Sequence, residues 1–511
     1  MSISLFFHIG AVNMKLPNKF ATGTILFFSI LSGCSDTPPS PDDEAATTEA
    51  IKHNSAPKMN VLILVLDSFR ADMSSLYGYD KPTTPHLEAW AKKGTVFTNA
   101  YSQSTTTNTS VWSYFNGQYP YLSDLLNPIR EEDTPLPVIM RNAGYTTAAF
   151  SDNPYISTKM GFSKGFDIFD NRLFKKTHAP FPKDNKDLKL RLEILAKIYP
   201  RTGDTSKDLI EEAQKWIVQG QNDPWFCYVH ILRPHNPYYS PEPFFSQFLD
   251  VESTVPKDAD PFRFLHLQET LSNIQDATTD ISPTPETLKM LINLYEGSIA
   301  YSDHLTNEFL LALENNGILE NTMVIIMSDH GEAFEDHGKL LHGRTYPYQE
   351  QVHVPLIILT PESFTSTVKT SDTPVSLVDL LPTLQDMLGL DVPQELHGQS
   401  LMPLMLGEST SFRNHTFFQN LSPASVGVMH NNQTLMTHLT PHYDEILDRV
   451  AYDLNTDPGE QIDIYEENGD FGELLGLATR FIASRVNRLS PTNVEFTDEE
   501  IELLETLGYI Q

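Results

Sequence analysis

The sequence predicts an α/β fold: a mainly parallel sheet sandwiched by helices, with a smaller C-terminal α+β subdomain. Three observations carry that expectation. Met59–Leu66 and Thr322–Met327 are continuous apolar runs, the pattern of strands buried on both faces of a parallel sheet. Elsewhere in the first four hundred or so residues, apolar stretches alternate with amphipathic ones, as βαβ units do. After about residue 406 the apolar runs shorten and alternate with polar residues, as in half-exposed strands.

In chain order, residues 1–33 read as a targeting signal. Met14–Lys19 is a short basic region, and the apolar stretch Phe20–Ile30 is too short to span a bilayer. Leu31-Ser-Gly-Cys34 resembles a bacterial lipobox. The resemblance implies translation from Met14, cleavage before Cys34 and acylation of that cysteine. It implies an exported lipoprotein whose only membrane contact is its lipid anchor, with Ser35 favouring the outer membrane. Residues 35–57 are polar and proline-rich and are expected to be a disordered tether. The other cysteine, Cys227, sits in the apolar run Trp225–Val229 and reads as core, with no disulfide expected.

The main domain is expected over 58–405. Helical patterns fall at Leu87–Lys93, Val138–Ala143, Lys207–Gln219, Leu288–Asn315 and Val375–Leu388. Extended patterns fall at Thr95–Tyr101, Thr146–Phe150, Trp225–Leu232 and Val354–Leu359. The subdomain, 406–511, is expected to hold strands at Thr416–Asn420, Val426–His430 and Gln433–Thr437. A helix should follow at Phe471–Asn487, with a closing helix between a Thr497 N-cap and a Gly508 C-cap.

The 511 residues are 40% hydrophobic and carry a net charge of −32. That charge disfavours nucleic acid and anionic membrane surfaces as partners. Positive charge for an anionic substrate would have to come from a metal. Both buried runs end in acids, Asp67 in one and Asp329-His330 in the other. Ligands of open α/β sheets bind at the carboxyl ends of strands. Neighbouring strands would therefore gather these residues into a divalent-cation site.

The order and spacing of several motifs resemble the sulfatase family of the alkaline phosphatase superfamily. They include Leu66–Asp72, Gly94–Tyr101, His230–Tyr238, Ser328–Glu332, Val375–Thr383 and Tyr452–Glu460. The family's nucleophile lies ten residues before the glycine of a Gly-x-Tyr-Pro turn. Counting back from Gly117-Gln-Tyr-Pro120 gives Thr107, with the register among Thr105, Thr106, Thr107 and Thr109 open. Sulfatases carry Cys/Ser-x-Pro-x-Arg there and oxidise the first residue to formylglycine. This chain reads Thr107-Asn-Thr-Ser-Val111, so no formylglycine is expected. Phosphodiesterases and phosphoethanolamine transferases of the superfamily use threonine, activated by a metal.

By the same resemblance, Asp67, Asp329, His330 and Thr107 would hold the metal. The Asp-His pair favours Zn²⁺ or Mn²⁺ over Ca²⁺. His230, His235, His342 and Arg344 would steady the anion and leaving group, and Asn153 would be a polar substrate contact. His337, Asp303 and Asp379 read as structural. The implied function is a metal-dependent hydrolase of a sulfate or phosphate ester, phosphodiester favoured. Two alternatives stand beside it: an inactive surface lipoprotein binding sulfated or phosphorylated glycans, and a phosphoethanolamine-type transferase.

Overall fold

The computed structural model describes residues 59–486 and Thr497, apart from 123, 125, 172–204, 221–223, 237, 239, 250–282, 284, 344–345, 365, 409–411, 422–423 and 469–470. Cys34, the expected tether, Arg344 and the expected closing helix lie outside the described residues.

The main sheet begins with β1 (Asn60–Leu66). After it come helix α1 (Pro85–Ala91), β2 (Gly94–Tyr101), α2 (Thr107–Asn116), α3 (Leu136–Asn142), β3 (Thr146–Ser151) and β4 (Ile168–Asn171). Next are α4 (Thr205–Val218), β5 (Trp225–Ile231), the long helix α5 (Pro285–Asn315), β6 (Thr322–Met327) and a short hairpin, β7 (Ala333–Phe334) with β8 (Leu340–Leu341). The domain finishes with α6 (Gln349–Val352), β9 (His353–Leu359), the two-residue strands β10 (Thr370–Ser371) and β11 (Val375–Ser376), α7 (Leu380–Leu388) and α8 (Met402–Leu406).

The sheet order is β10-β2-β9-β6-β1-β5-β3-β4, with β11 also on β2. β1 is central and pairs in parallel with both β5 and β6, while β9 runs antiparallel to β6 and β2. The fold class is as expected: mainly parallel, with helices on both faces. Strand β1 shows why a continuous apolar run was needed. Val61, Ile63 and Val65 pack into one core with α2, α3 and α7. Leu62, Leu64 and Leu66 pack into a second core with α1, α4 and α5. Every side chain of a two-faced strand is buried, so period-2 polarity disappears.

Register then positions the site. Val65 is opposite both His230 on β5 and Met327 on β6. Asp67, His230 and Asp329 therefore arrive at one end of three adjacent strands.

The C-terminal sheet is an antiparallel meander of β12 (His415–Leu421), β13 (Ala424–His430), β14 (Gln433–Leu439) and β15 (Ile446–Asp453). A short helix α9 (Tyr465–Asn468) follows, and α10 (Gly472–Arg485) packs its Leu474, Ala478, Phe481 and Ile482 against the sheet.

One expected helix needs correction. Val375–Leu388 is not a single helix but strand β11, a 3₁₀ turn over Leu377–Asp379, and α7. Ser376 and Asp379 form a capping box, which starts the helical part at that point and leaves Val375 to pair with β2. Strands β4 and β15 went unseen in the sequence. Both expose a share of their residues and lack a long apolar run.

Candidate active site

The site is assembled from strand ends and one helix N-terminus. Asp67 follows β1, and Ser68 after it takes a left-handed conformation (φ 59°). This turn aims the Ser68 N–H at Asp329 Oδ1 (3.2 Å) and lets the Ser68 hydroxyl donate to Asp67 Oδ1 (3.2 Å). Tyr295 on α5 pins the turn from below: its hydroxyl donates to the Ser68 carbonyl (2.6 Å) and accepts from the Arg70 N–H (3.0 Å). Arg70 itself is locked by Asp72, Asp336 and the Glu332 carbonyl.

Helix α2 brings the threonine. Thr107 is its first residue, and Ser110 one turn on donates to the Asp329 carbonyl (2.7 Å), tying the helix to the end of β6. Thr107 Oγ1 lies 3.1 Å from His330 Nε2 and 3.4 Å from Asn153 Nδ2. The neighbouring threonines face elsewhere: Thr105 bonds Asn420, and Thr106 bonds Ser104. His330 Nδ1 sits 2.8 Å from the Gly331 carbonyl, which can only accept. Nδ1 therefore carries the proton, and Nε2 presents a lone pair to the cluster.

The carboxylates and imidazoles converge tightly. His230 Nε2 lies 3.2 Å from Asp67 Oδ2 and 3.8 Å from Asp329 Oδ2. His330 Nε2 lies 3.8 Å from Asp67 Oδ1 and 3.6 Å from Asp329 Oδ2. Asp67, His230 and Asp329 each offer a ligand atom within 4.8 Å of the others, all buried. Asn153 donates to Asp67 Oδ2 (2.5 Å). Asp329 Oδ2 is buried with no hydrogen-bond donor. An orphaned carboxylate oxygen facing two imidazole nitrogens is what a site for a divalent cation requires, so the residues present fit such an ion.

Electrostatics follow from burial. Burial alone would raise the Asp67 carboxyl, but His235, His230 and His330 outweigh it and hold the group far below its usual range. Burial disfavours the His230 cation, yet Asp67 and Asp329 raise its affinity for a proton. His235 goes the other way, lowered chiefly by burial.

A second shelf of side chains adjoins the first. The ring of His342 lies tilted 4.3 Å from that of His330 and edge-on 5.0 Å from that of His235. His342 Nδ1 meets Glu332 Oε1 at 2.9 Å, and burial pushes the Glu332 carboxyl up to about 7. His235 donates its backbone N–H to the Asp67 carbonyl (3.0 Å), and its Nδ1–H to the Asn236 carbonyl (2.6 Å). The structure thus gathers Asp67, Thr107, Asn153, His230, His235, Asp329, His330 and His342. His337 stands apart, stacked on Tyr348 and bonded to Glu350 and the Glu460 carbonyl. Asp303 caps α1 through the His86 and Leu87 N–H groups.

Sequence reasoning gave no site role to Ser68, Glu332, Tyr228 and Tyr114. Ser68 and Glu332 lie within quoted motifs, a signal that was there to use. The two tyrosines lie within apolar runs and read as core.

The family model described as "Sulfatase" matches residues 59–390, and "N-sulphoglucosamine sulphohydrolase, C-terminal" matches 337–477. The chain belongs to the sulfatase family. It is an ester hydrolase of that family, which acts on sulfate or phosphate esters and uses a divalent metal. Human arylsulfatase K is 26% identical over 441 residues, covering 80% of this chain and 79% of that protein. An ulvan-active sulfatase of Formosa agariphila is 23% identical, covering 82% and 76%. The phosphonate monoester hydrolase of Agrobacterium radiobacter superposes with a TM-score of 0.63 at 21% identity, covering 84% of this chain and 95% of that one. A structure solved with D-glucosamine-2-N,6-O-disulfate gives 0.59 at 18%, covering 83% and 97%.

Proposed function

We propose that this sulfatase-family hydrolase cleaves its ester through Thr107 rather than formylglycine, with phosphodiesters favoured among its substrates. The observation that carries the reading is the position of the Thr107 hydroxyl. It is the first side chain of a helix, 3.1 Å from a histidine whose lone pair faces it, beside two buried aspartates. A helix N-terminus offers backbone N–H groups to a tetrahedral oxyanion. A cation held by Asp67, Asp329 and His330 would lower the pKa of the hydroxyl and offset the charge of the ester.

Thr107 Oγ, its proton released to solvent, attacks phosphorus in line. The Oγ–P bond forms as the bond to the leaving oxygen breaks, and His342, backed by Glu332, gives that oxygen a proton. Water then returns a proton to His342 as it attacks phosphorus, and the Oγ–P bond breaks to free Thr107. Asn153 hydrogen-bonds Asp67 and Thr107 at once and holds the pair in register. His235 and Arg344 steady the anion. The same steps serve sulfur. The relatives that act on ulvan or bind glucosamine disulfate support a sulfated glycan as the alternative substrate class, and the phosphonate hydrolase supports a phosphorus centre.

We assign the Leu31–Cys34 signal to lipid anchoring of an exported protein, which conversion of Cys34 to alanine would release from membranes. No helix among the described residues is long and apolar enough to cross a membrane.

The test is turnover of the nitrophenyl sulfate, phosphate monoester and phosphodiester by the Mn²⁺- or Zn²⁺-loaded protein, beside Thr107→Ala. Mass spectrometry of the peptide containing residue 107 accompanies it. Diester turnover, an unmodified threonine and loss of activity in the variant are expected. Equal turnover by Thr107→Ala would overturn the threonine nucleophile. Metal-bound protein inert on every ester would favour the glycan-binding alternative.

A further inference from the structure

His230 is placed where a substrate anion would be repelled. Its Nε2 is 3.2 Å from one Asp67 oxygen and 3.8 Å from one Asp329 oxygen, and the ring is fully buried between β1 and β3. An imidazole that contacts a sulfate or phosphate would point away from two carboxylates. This one points between them.

Its other nitrogen is fixed. His230 Nδ1 is 2.8 Å from the Tyr228 hydroxyl, which is 2.8 Å from the Tyr114 hydroxyl. Both tyrosines are fully buried, Tyr228 on β5 and Tyr114 on α2. Metal-ligating histidines commonly have the second nitrogen engaged in this way, which sets the ring's orientation. His330 shows the same arrangement, with Nδ1 on the Gly331 carbonyl and Nε2 toward the same acids.

The spacings agree. Donors bonded to one ion at about 2.0–2.1 Å lie about 2.9–3.6 Å from one another. The imidazole–carboxylate separations here run from 3.2 to 3.8 Å, with His230 Nε2 on Asp67 Oδ2 and His330 Nε2 on Asp67 Oδ1. Among the described residues, Asp67, His230 and Asp329 alone each offer a ligand atom within 4.8 Å of the others. Two neutral nitrogens and two carboxylates balance a divalent charge. They suit Zn²⁺ or Mn²⁺, whereas Ca²⁺ wants six to eight oxygens.

We infer that His230 Nε2 is a direct ligand of the cation, beside Asp67, Asp329 and His330, with a further coordination position left to Thr107 Oγ1. Tyr228 and Tyr114 act as positioning residues for that ligand, tying it to the helix that carries Thr107. This rests on the reading that a divalent cation occupies the site, and reassigns His230 from the anion to the metal.

Pulsed electron paramagnetic resonance of the metal-free full chain, reloaded with one equivalent of Mn²⁺, counts coordinated imidazoles by their ¹⁴N modulation. Two are expected in the native protein and one in His230→Gln. Tyr228→Phe should keep two while Mn²⁺ affinity drops about 10- to 100-fold. Calorimetric titration should show Zn²⁺ and Mn²⁺ outcompeting Ca²⁺ in the native protein, and the preference shrinking at least about tenfold in His230→Asp. A single nitrogen in native, catalytically active protein would overturn the inference and leave the proposed function standing. So would an unchanged count in His230→Gln. Failure of Mn²⁺ and Zn²⁺ to bind the native chain at all would overturn both. The native spectrum needs no variant, so a poorly folding substitution does not decide the matter.

Discussion

Asp329 and Asp379 are both fully buried carboxylates in the same domain, and they are provisioned in opposite ways. Asp379 has every oxygen engaged: Arg413 forks across both, the Ser376 N–H donates to one (2.8 Å) and the Gln399 N–H to the other (2.8 Å). Asp329 receives two N–H groups on Oδ1, from Ser68 (3.2 Å) and His330 (3.0 Å), and nothing on Oδ2. A buried charge is costly unless it is paired and hydrogen-bonded. The saturated acid is therefore a building element. The unsaturated one holds a place for something the chain does not itself supply.

If that contrast is right, the two regions should fail differently. The largest effect belongs to Thr107→Ala, where kcat/KM on the preferred ester should fall by roughly 10⁴-fold or more while the melting temperature barely moves. Retained turnover would break the contrast on the functional side. Next comes Arg413→Ala, which strands Asp379 without its partner. It should cost about 3–5 kcal/mol in urea denaturation, with activity per folded molecule unchanged. A specific loss of activity without a loss of stability would place Asp379 in the site after all.

Asp329→Asn sharpens the comparison from the other side. Metal-free, the variant should be at least as stable as the parent, since an uncompensated buried charge has gone. Added Mn²⁺ should stabilise only the parent, by about 2.7 kcal/mol at a hundredfold excess over Kd. Thermal shift with and without chelator reads both. Asp303→Ala, which uncaps α1, should cost about 1–2 kcal/mol and leave metal binding alone.

The last effect shows only against pH and concerns Glu460, whose carboxyl burial pushes up to about 8. Its folded pKa lies above the ordinary 4.5, so the folded state holds the proton more tightly. Its contribution to stability is full below that ordinary value and is lost as pH rises toward 8. Glu460→Gln should flatten the fall in unfolding free energy between pH 5 and pH 8, by up to about 1.4 kcal/mol per pH unit. An identical slope in the variant would remove Glu460 from that account.

Much of this was legible before any coordinates. Strands β1 and β6 announced themselves as apolar runs, and because each ends in an acid, the site's corner of the sheet was legible with them. The order of the motifs pointed to the family. What stayed hidden was hidden for physical reasons. The run Thr105–Thr109 offers several hydroxyls, and they are told apart by contacts made in space, among them the hydrogen bonds from Ser110 to the Asp329 carbonyl and between Tyr114 and Tyr228 that orient α2. Tyr114 and Tyr228 have ordinary core spacing, and their roles come from two hydroxyls meeting across a sheet–helix interface. The resemblance casts His230 as an anion contact, and only the fold shows that its neighbours in space are Asp67 and Asp329. Strand β15 exposes many of its residues, so its pairing with β14 left little trace in hydropathy.

The smaller sheet does more than close the molecule. Strand β12 reaches the threonine loop through the pairing of Ser104 with Gln419 and the Thr105–Asn420 hydrogen bond. On its other side Tyr348 packs with Met436 and Tyr452, and Glu460 binds the Gln349 N–H and the ring of His337. These contacts hold the chain just before and after His342. The meander braces the loop before Thr107 and the chain around His342, while Asp67, His230 and Asp329 stand at strand ends of another sheet. Drift in β12–β15 can thus shift the threonine loop and the chain around His342 without disturbing β1 or β6, so the surroundings of the metal-facing acids and the acids themselves can evolve at separate rates.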